Sequence, residues 1–303
     1  MGQLAAISRY VFGHVSERLG RPVRFVQIGA HDGHSGDPIH DFILRYGWQG
    51  LLVEPVPFLF ADLKQTYRGV AELVFENCAV GEEAGTKTFY AMRPRADAPV
   101  TWHSQLSSFD REVILKHRDE VPDLERYIEE IAVRTERLDQ LLDRHSIWPD
   151  LLVIDTEGHD YKVLRSYDCT RHRPQIIYFE HRHLQEDERR EALALMMRLG
   201  LIAIFDHENC LALDAQAVPA SVLTLIEEMA GSARPSIALN AVPGHAAHFA
   251  TVDALSARVA QLERAQKALL GSTSWRVTAP LRGLVHLLRG VRPGSAPRSR
   301  PGA

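Results

Sequence analysis

Cysteine is scarce in this 303-residue sequence, and the few cysteines form no recognisable motif. Cys78, Cys169 and Cys210 are odd in number, and none belongs to a CxxC pair. This argues against both a disulfide framework and a cysteine zinc cluster. The reducing cytoplasm is therefore the predicted compartment.

Long apolar runs are also lacking, since no stretch is long and apolar enough to span a bilayer. Residues 1–20 have no long apolar core behind a basic region, and position 6 is Ala, where a myristoylation signal has Ser or Thr. Both features again predict a cytoplasmic protein.

Positive charge is in short supply over most of the chain. The net charge is −4, from 35 Lys and Arg against 39 Asp and Glu. Eight of the basic residues lie between Arg264 and the C-terminus, where no acidic residue occurs, so the preceding body is strongly acidic. Phosphate binding needs a positive field, and we therefore predict that nucleic acid is not a partner.

What the sequence does contain, from residue 22 to about 214, is an alternation of apolar runs and helix-like segments. The candidate strands are residues 24–30, 50–55, 72–80, 151–155 and 175–180. Strands that are apolar throughout and separated by helices indicate a parallel sheet covered on both faces. Two further runs around a polar turn predict an antiparallel hairpin at the sheet edge, over 201–214. The predicted fold class is α/β.

The predicted organisation has five parts. They are an N-terminal helix (1–21), the α/β domain (22–230) with an insertion (92–130), a linker (231–250), a coiled or amphipathic helical tail (251–290) and a disordered end (291–303). The insertion is either a substrate-recognition lid or a surface excursion. The basic tail is predicted to contact a membrane face, a partner protein or its own domain, and homo-oligomerisation is a further hypothesis.

Ligands of an open parallel sheet bind outside the carboxyl ends of its strands, so the residues that close each run are informative. The first run ends in IGAHDGHSGD, where Gly29 and Gly33 allow a tight turn. The second ends at Glu54, suited to ribose hydroxyls, and the third closes at Asn77, suited to adenine. Together these strand ends predict an adenosine site. Neither GxGxxG nor GxxxxGK[ST] occurs, which disfavours a nicotinamide dehydrogenase and a triphosphate loop.

Carboxylates crowd the end of the fourth strand, in LLVIDTEGHDYKVL (151–164). Asp155 and Glu157 share one strand face if the strand continues that far, and Glu180 with His181 closes the neighbouring run. We predict that these groups converge, where they either raise one another's pKa or gather a divalent cation. Asp160 is expected to stabilise the N-terminus of the next helix.

These motifs, in order, resemble the FkbM family of methyltransferases. The resemblance rests on FVQIGAHDGHSGD, GLLVEPVP, NCAVGEEAGTKTFY, RLDQLLDR, LLVIDTEGHDYKVL and QIIYFEH, over about residues 22–214. The hallmark is D-x-E-G-x-[DE]-x-x-x-L, present as Asp155, Glu157, Gly158, Asp160 and Leu164.

The resemblance implies a Rossmann-like, seven-stranded class I methyltransferase sheet, S-adenosylmethionine as cofactor and O-methylation of a hydroxyl. The expected cofactor residues are Ile28, Gly29, Ala30, His31, Asp32, Gly33, Glu54, Pro55, Asn77, Ala79 and Asp155. A hydroxyl must lose its proton to a base or be acidified by a metal. We hypothesise Asp155, Glu157, Glu180 and His181 as catalytic, with a cation such as Mg²⁺ at Asp155, Glu157 and Glu180 as the alternative to a base.

The tail sequence STSWRVTAPLR resembles a tail of bacterial enzymes of cell-surface polysaccharide assembly. The predicted acceptor is therefore a small-molecule or glycan hydroxyl, most simply that of a cell-surface glycan or its precursor, with the protein peripheral at the inner face of the membrane. The alternative is a non-catalytic adenosine-cofactor-binding module that serves as a scaffold in polysaccharide assembly.

Overall fold

The computed structural model describes residues 3–93, 106–230 and 238–240. The chain divides into two compact units, Met1–His245 and Ala246–Ala303, and every described residue belongs to the first. The predicted helical tail (251–290) and disordered end (291–303) lie outside the described residues, as does most of the predicted linker. Within the described residues, no helix is both long and apolar enough to cross a membrane.

The described residues form twelve strands and eight α-helices. The strands are β1 Arg24–Ile28, β2 Gln49–Val53, β3 Leu73–Glu76, β4 Ala79–Val80, β5 Gly85–Met92, β6 Ser107–Ser108, β7 Ile128–Glu136, β8 Leu151–Ile154, β9 Ile176–Glu180, β10 Ile202–Phe205, β11 Asn209–Leu213 and β12 Ala238–Asn240. The helices are α1 Gln3–Arg18, α2 His40–Tyr46, α3 Pro57–Thr66, α4 Arg111–Leu115, α5 Leu138–His145, α6 Asp160–Arg165, α7 Glu186–Arg198 and α8 Ala220–Ala230.

The central sheet has the order β3-β2-β1-β8-β9-β11-β10-β12. In this sheet, β3, β2, β1, β8 and β9 run parallel to one another, whereas β11 is antiparallel to both of its neighbours, β9 and β10. The predicted seven-stranded α/β sheet with an antiparallel terminal hairpin is confirmed. The short strand β12 adds an eighth member beside β10, inside the segment predicted as a linker.

Both faces of the sheet are covered, as the continuous apolar runs predicted. Phe25 of β1 points into a cluster with Trp48 and the helices α1 and α2. Its neighbours Val26 and Ile28 point into the opposite cluster, which contains Leu141 of α5. Because side chains alternate along a strand, β1 supplies apolar side chains to both layers.

A second sheet, of order β4-β7-β5-β6, stands beside the first. The run predicted as one strand over 72–80 is divided between the two sheets, because β3 ends at Glu76 and β4 begins at Ala79. The strands β5 and β7 pair antiparallel from Gly85↔Thr135 to Met92↔Ile128. The excursion is therefore a folded subdomain wider than the predicted insertion 92–130. Residues 94–105 of that insertion lie outside the described residues.

Candidate functional site

The turn after β1 brings the ends of three strands together. The backbone N–H groups of Gly29 and Ala30 donate to the Val53 carbonyl, at 2.9 and 3.0 Å, and that of Asp155 donates to the Ile28 carbonyl at 2.9 Å. Gly29 has φ +80, and a Cβ there would lie 1.7 Å from the carbonyl oxygen of Asp155. Glycine is thus required for β8 to end against β1.

Glu54, which follows β2, is buried beside this turn, with 4% of its surface exposed. Its Oε2 accepts from the backbone N–H of His31 at 2.9 Å and its Oε1 from that of Val56 at 2.8 Å. Burial raises the pKa of Glu54 to about 7, against the opposing effect of these hydrogen bonds. Each carboxyl oxygen can accept two hydrogen bonds, so acceptor capacity remains for a ligand.

A cavity of about 240 Å³ opens at this edge of the sheet. Of the eleven predicted cofactor residues, eight line it: Ile28, Gly29, Ala30, His31, Glu54, Pro55, Ala79 and Asp155. The lining includes four acidic residues, Asp37, Glu54, Asp155 and Glu157, and among the described lining residues there is no Lys or Arg. The cavity therefore favours a cationic or neutral ligand over a phosphate-rich one.

Two predicted cofactor residues of the turn, Asp32 and Gly33, lie outside this lining and stabilise the loop. Burial acts to raise the pKa of Asp32, but hydrogen bonds from the Ser35 hydroxyl and from backbone amides hold it well below its usual value. The carbonyl of Gly33 accepts from the Tyr67 hydroxyl at 2.9 Å. Their direct contact with a cofactor stays a prediction.

Asn77 is likewise outside the lining. Its side-chain amide donates to the carbonyls of Glu54 at 2.8 Å and Pro55 at 3.1 Å. It thereby fixes the backbone that carries Glu54, and a hydrogen bond from Asn77 to adenine stays a prediction. Ala79, two residues later, does line the cavity.

The structure adds lining residues that strand-end reasoning missed. Asp37 caps the start of α2 by accepting from the backbone N–H groups of Ile39 and His40, and burial raises its pKa. Phe89 and Phe109 come from the second subdomain and make an edge-to-face pair, with ring centroids 4.9 Å apart. The Gly-Asp-Pro sequence marks Asp37 as a turn residue, but no local pattern places either phenylalanine at the cavity.

The crowded carboxylates do converge, although not by strand parity. The strand β8 ends at Ile154, and Glu157 has a left-handed backbone with φ +51. Burial raises the pKa of Asp155 to about 6, opposed by the charge of His31. Burial, reinforced by Asp155 and Asp160, also raises the pKa of Glu157 well above its usual value. These groups thus hold protons more tightly than ordinary carboxyls do.

Asp160 is fully buried at the first position of α6. Its Oδ2 accepts from the Thr156 hydroxyl at 2.9 Å. Burial, followed by the charge of Asp155, raises its pKa to about 7. This position is compatible with the predicted role in stabilising the helix N-terminus.

The other two predicted catalytic residues, Glu180 and His181, are not part of the cavity lining. His181 turns towards the hairpin, with its Nε2 3.1 Å from the carbonyl oxygen of Asp206, and burial lowers its pKa to about 4. Glu180 instead faces Glu157, and burial together with that neighbour raises its pKa to about 10. Their catalytic roles stay predictions.

Metal-type ligand atoms gather at Glu157, Glu180 and His183, all within 4.8 Å of one another. The predicted cation ligands were Asp155, Glu157 and Glu180. The observed group therefore contains His183 in place of Asp155. The signal for His183 was the Glu-His-Arg-His sequence that follows β9.

Among solved structures, methyltransferase FkbM from Methylobacillus flagellatus KT is 14% identical with a TM-score of 0.40, over 64% of this chain and 44% of that chain. This chain thus spans less than half the length of that protein.

Two further structures are similarly distant. Precorrin-6y C5,15-methyltransferase from Geobacter metallireducens GS-15 is 11% identical with a TM-score of 0.33, over 68% of this chain and 87% of that chain. Ribosomal protein L11 methylase from Lactobacillus delbrueckii subsp. bulgaricus is 7% identical with a TM-score of 0.35, over 69% of this chain and 78% of that chain.

A comparison with curated protein sequences finds no match. The sequence profile of the methyltransferase FkbM domain, however, matches residues 27–210. This range exceeds half of the 303 residues and contains the glycine turn, Glu54 and the carboxylate cluster. The chain therefore belongs to the FkbM family of methyltransferases.

Proposed function

We propose that the protein is an S-adenosylmethionine-dependent O-methyltransferase that acts on a hydroxyl of a cell-surface glycan or glycan precursor. The observation that carries this proposal is the make-up of the described cavity lining, which has four carboxyl residues to accept hydrogen bonds and no Lys or Arg to bind a phosphate. The sulfonium and amino groups of S-adenosylmethionine are cationic, whereas a dinucleotide brings a pyrophosphate. The lining therefore favours the sulfonium cofactor.

The groups at the cavity fit the parts of that cofactor. Glu54 retains acceptor capacity suited to ribose hydroxyls, beside the backbone of the Gly29 turn. Ala79, Val80 and Phe89 supply apolar surface suited to an adenine ring. When bound, S-adenosylmethionine supplies an electrophilic methyl group.

Asp155 is the proposed general base. Burial raises its pKa, so its carboxylate is a stronger base than that of an ordinary aspartate. Asp155 takes the hydroxyl proton as the acceptor oxygen bonds to the methyl carbon, while the electron pair of the breaking C–S bond stays on sulfur. The products are a methyl ether, S-adenosylhomocysteine and a protonated Asp155.

The opposite wall of the cavity supports a sugar acceptor. Phe109 and Ser107 reach the cavity from the second subdomain, and the Ser107 hydroxyl is buried without a hydrogen-bond partner among the described residues. An aromatic ring packs well on the C–H face of a sugar, and a free hydroxyl can bind one of its oxygens. This wall supports the glycan part of the proposal.

Calorimetry with S-adenosylmethionine and S-adenosylhomocysteine, followed by transfer of an isotope-labelled methyl group to panels of glycans, polyketides and lipids, tests the proposal. We expect saturable binding of both nucleosides and label in a glycan fraction. Binding without transfer to any acceptor would support the alternative, a non-catalytic module. Absence of binding would contradict both functions.

The basic tail is proposed to attach the protein to an anionic membrane face. Its support is the sequence alone. If residues 280–289 are helical, Leu281, Leu284, Val285 and Leu288 share one face and Arg282, His286 and Arg289 another, and Trp275 precedes them, as in interfacial helices. Sedimentation of the full chain and of a 1–263 truncation with anionic liposomes tests it, and equal binding would contradict it.

A further inference from the structure

A group of three side chains beside the cavity has the composition of a metal site. His183 Nε2 lies 3.3 Å from Glu157 Oε2 and 3.9 Å from Glu180 Oε1. We propose that Glu157, Glu180 and His183 bind one divalent transition-metal ion, with Mn²⁺, Fe²⁺, Co²⁺ or Zn²⁺ as the matching class. One ion could contact all three residues, because their ligand atoms lie within 4.8 Å of one another.

The histidine distinguishes this group from a simple cluster of acids. The side chain of His183 is only 6% exposed, and within the described chain its imidazole makes no hydrogen bond of normal geometry. Imidazole is a common metal ligand, and the Nε2 atom of His183 faces both carboxylates.

The two carboxylates also lack what buried acids normally have. Glu157 Oε2 and Glu180 Oε2 are buried, and neither has a hydrogen-bond partner among the described residues. Burying an unpaired carboxylate is unfavourable unless it is protonated, paired or bound to a metal. A divalent ion would satisfy both groups, since two carboxylates and a neutral imidazole carry a charge of −2.

The backbone holds the ligands in place. Glu157 and Gly158 both have left-handed conformations, with φ +51 and +95. The Ser108 hydroxyl fixes the first of these by donating to the Glu157 carbonyl at 2.8 Å. A Cβ at Gly158 would lie 3.3 Å from the Cβ of His183, so this glycine lets the histidine approach. Left-handed non-glycine residues often mark functional sites.

The ligand set decides the metal class. Imidazole suits Zn²⁺, Fe²⁺ and similar ions, whereas Mg²⁺ and Ca²⁺ prefer oxygen donors alone. Mg²⁺, the cation named from the sequence, is therefore the weaker candidate. Glu157 also lines the cavity, so open metal positions would be within reach of an acceptor hydroxyl. That last role, but not the site itself, rests on the proposed methyl transfer.

The test uses the full chain, stripped with chelator and titrated with Mn²⁺, Zn²⁺ and Mg²⁺. Free Mn²⁺ is followed by electron paramagnetic resonance and Zn²⁺ by calorimetry. We expect one Mn²⁺ or Zn²⁺ per chain, weaker Mg²⁺ binding, and a loss of at least tenfold in affinity in Glu180→Gln and His183→Ala. The matched controls, Glu186→Gln and His207→Ala, change exposed side chains and should bind as the wild type does.

Folding and binding are separable in this design. Glu180→Gln is isosteric and removes repulsion between acids, so the metal-free variant should melt no lower than the wild type while binding less metal. Absence of saturable Mn²⁺ and Zn²⁺ binding, or unchanged affinity in both variants, would overturn the site. Normal metal binding without methyl transfer would contradict the proposed function and leave the site standing.

Discussion

The hydroxyl of Ser108 donates a 2.8 Å hydrogen bond to the backbone carbonyl of Glu157. Ser108 belongs to β6 of the second sheet and is buried, whereas Glu157 lies in the loop after β8 of the central sheet. One side chain thus couples the aromatic wall of the cavity to the carboxylate loop. It explains how a subdomain distant in sequence can set the geometry of the carboxylates.

Replacing Ser108 with Ala should therefore impair turnover more than cofactor affinity. The Glu157 carbonyl would lose its donor, at a cost of about 1–3 kcal/mol in the free energy of unfolding, and its loop would relax. Chemical denaturation and methyl-transfer kinetics measure the two effects. Ser16→Ala is the control and should cost stability alone, because the Ser16 hydroxyl donates to the Phe12 carbonyl and neither residue lines the cavity. Unchanged turnover in Ser108→Ala would contradict the coupling.

Asp155→Asn should reduce the rate of methyl transfer by roughly 10²- to 10⁴-fold, the usual contribution of a general base. Cofactor binding should stay measurable by calorimetry, since the amide has nearly the same shape. Asp150→Asn at the other end of β8 is the control. Asp150 accepts from the Arg21 guanidinium and the Arg24 amide, so its loss should lower stability without removing activity. Full turnover in Asp155→Asn would rule out this residue as the base.

Gly29→Ala should abolish cofactor binding and destabilise the domain. The new methyl group would overlap the Asp155 carbonyl, and the left-handed backbone alone costs roughly 1–3 kcal/mol in a residue with a Cβ. Gly13→Ala in α1 has room, with its nearest neighbour at 3.9 Å, and should be neutral or slightly stabilising. Thermal melts with and without S-adenosylhomocysteine check both variants. A ligand-induced shift retained in Gly29→Ala would contradict the role of this turn.

Glu54 should make stability depend on pH in a defined direction. Its pKa rises from 4.5 to about 7 on folding, so between these values the native state binds more protons than the unfolded state. Stability contributed by the protonated carboxyl is therefore present below about pH 4.5 and lost as pH rises towards 7. At about 1.4 kcal/mol per pKa unit, the loss is roughly 3 kcal/mol.

Thermal melts of Glu54→Gln and wild type from pH 4.5 to 8 measure this effect. The glutamine side chain cannot titrate, so the melting temperature of the variant should rise relative to that of the wild type as pH rises. All other titrating groups contribute equally to both proteins. Glu83→Gln, at an exposed glutamate, is the control and should show a constant difference. A constant difference for Glu54→Gln as well would show that its pKa is unchanged by folding.

The central sheet could be predicted because its signals are local. Buried parallel strands must be apolar along their whole length, so Leu151–Ile154 and Ile176–Glu180 stand out without any partner being known. A glycine turn and a terminal acid identify the carboxyl edge in the same way. Gly29, Glu54 and Asp155 were accordingly found at the cavity from their positions at strand ends.

The second sheet and the histidine ligand could not be predicted in this way. The strands β5 and β7 pair across an intervening segment, and their pairing register leaves no local periodicity that distinguishes a sheet from a polar insertion. His183 meets Glu157 only because β8 and β9 are neighbours in the register Ile154↔Phe179. Its burial then follows from packing of the loop after β9 on Gly158.

The sequence by itself determined most strands of the central sheet, the glycine turn and the acids at the strand ends, because each is encoded by neighbouring residues. The tertiary structure decided which of those acids face the cavity, which face His183, and how Ser108 holds their loop. The physical reason is that strand register and side-chain packing, not spacing along the chain, set distances of 3–4 Å between groups on different elements.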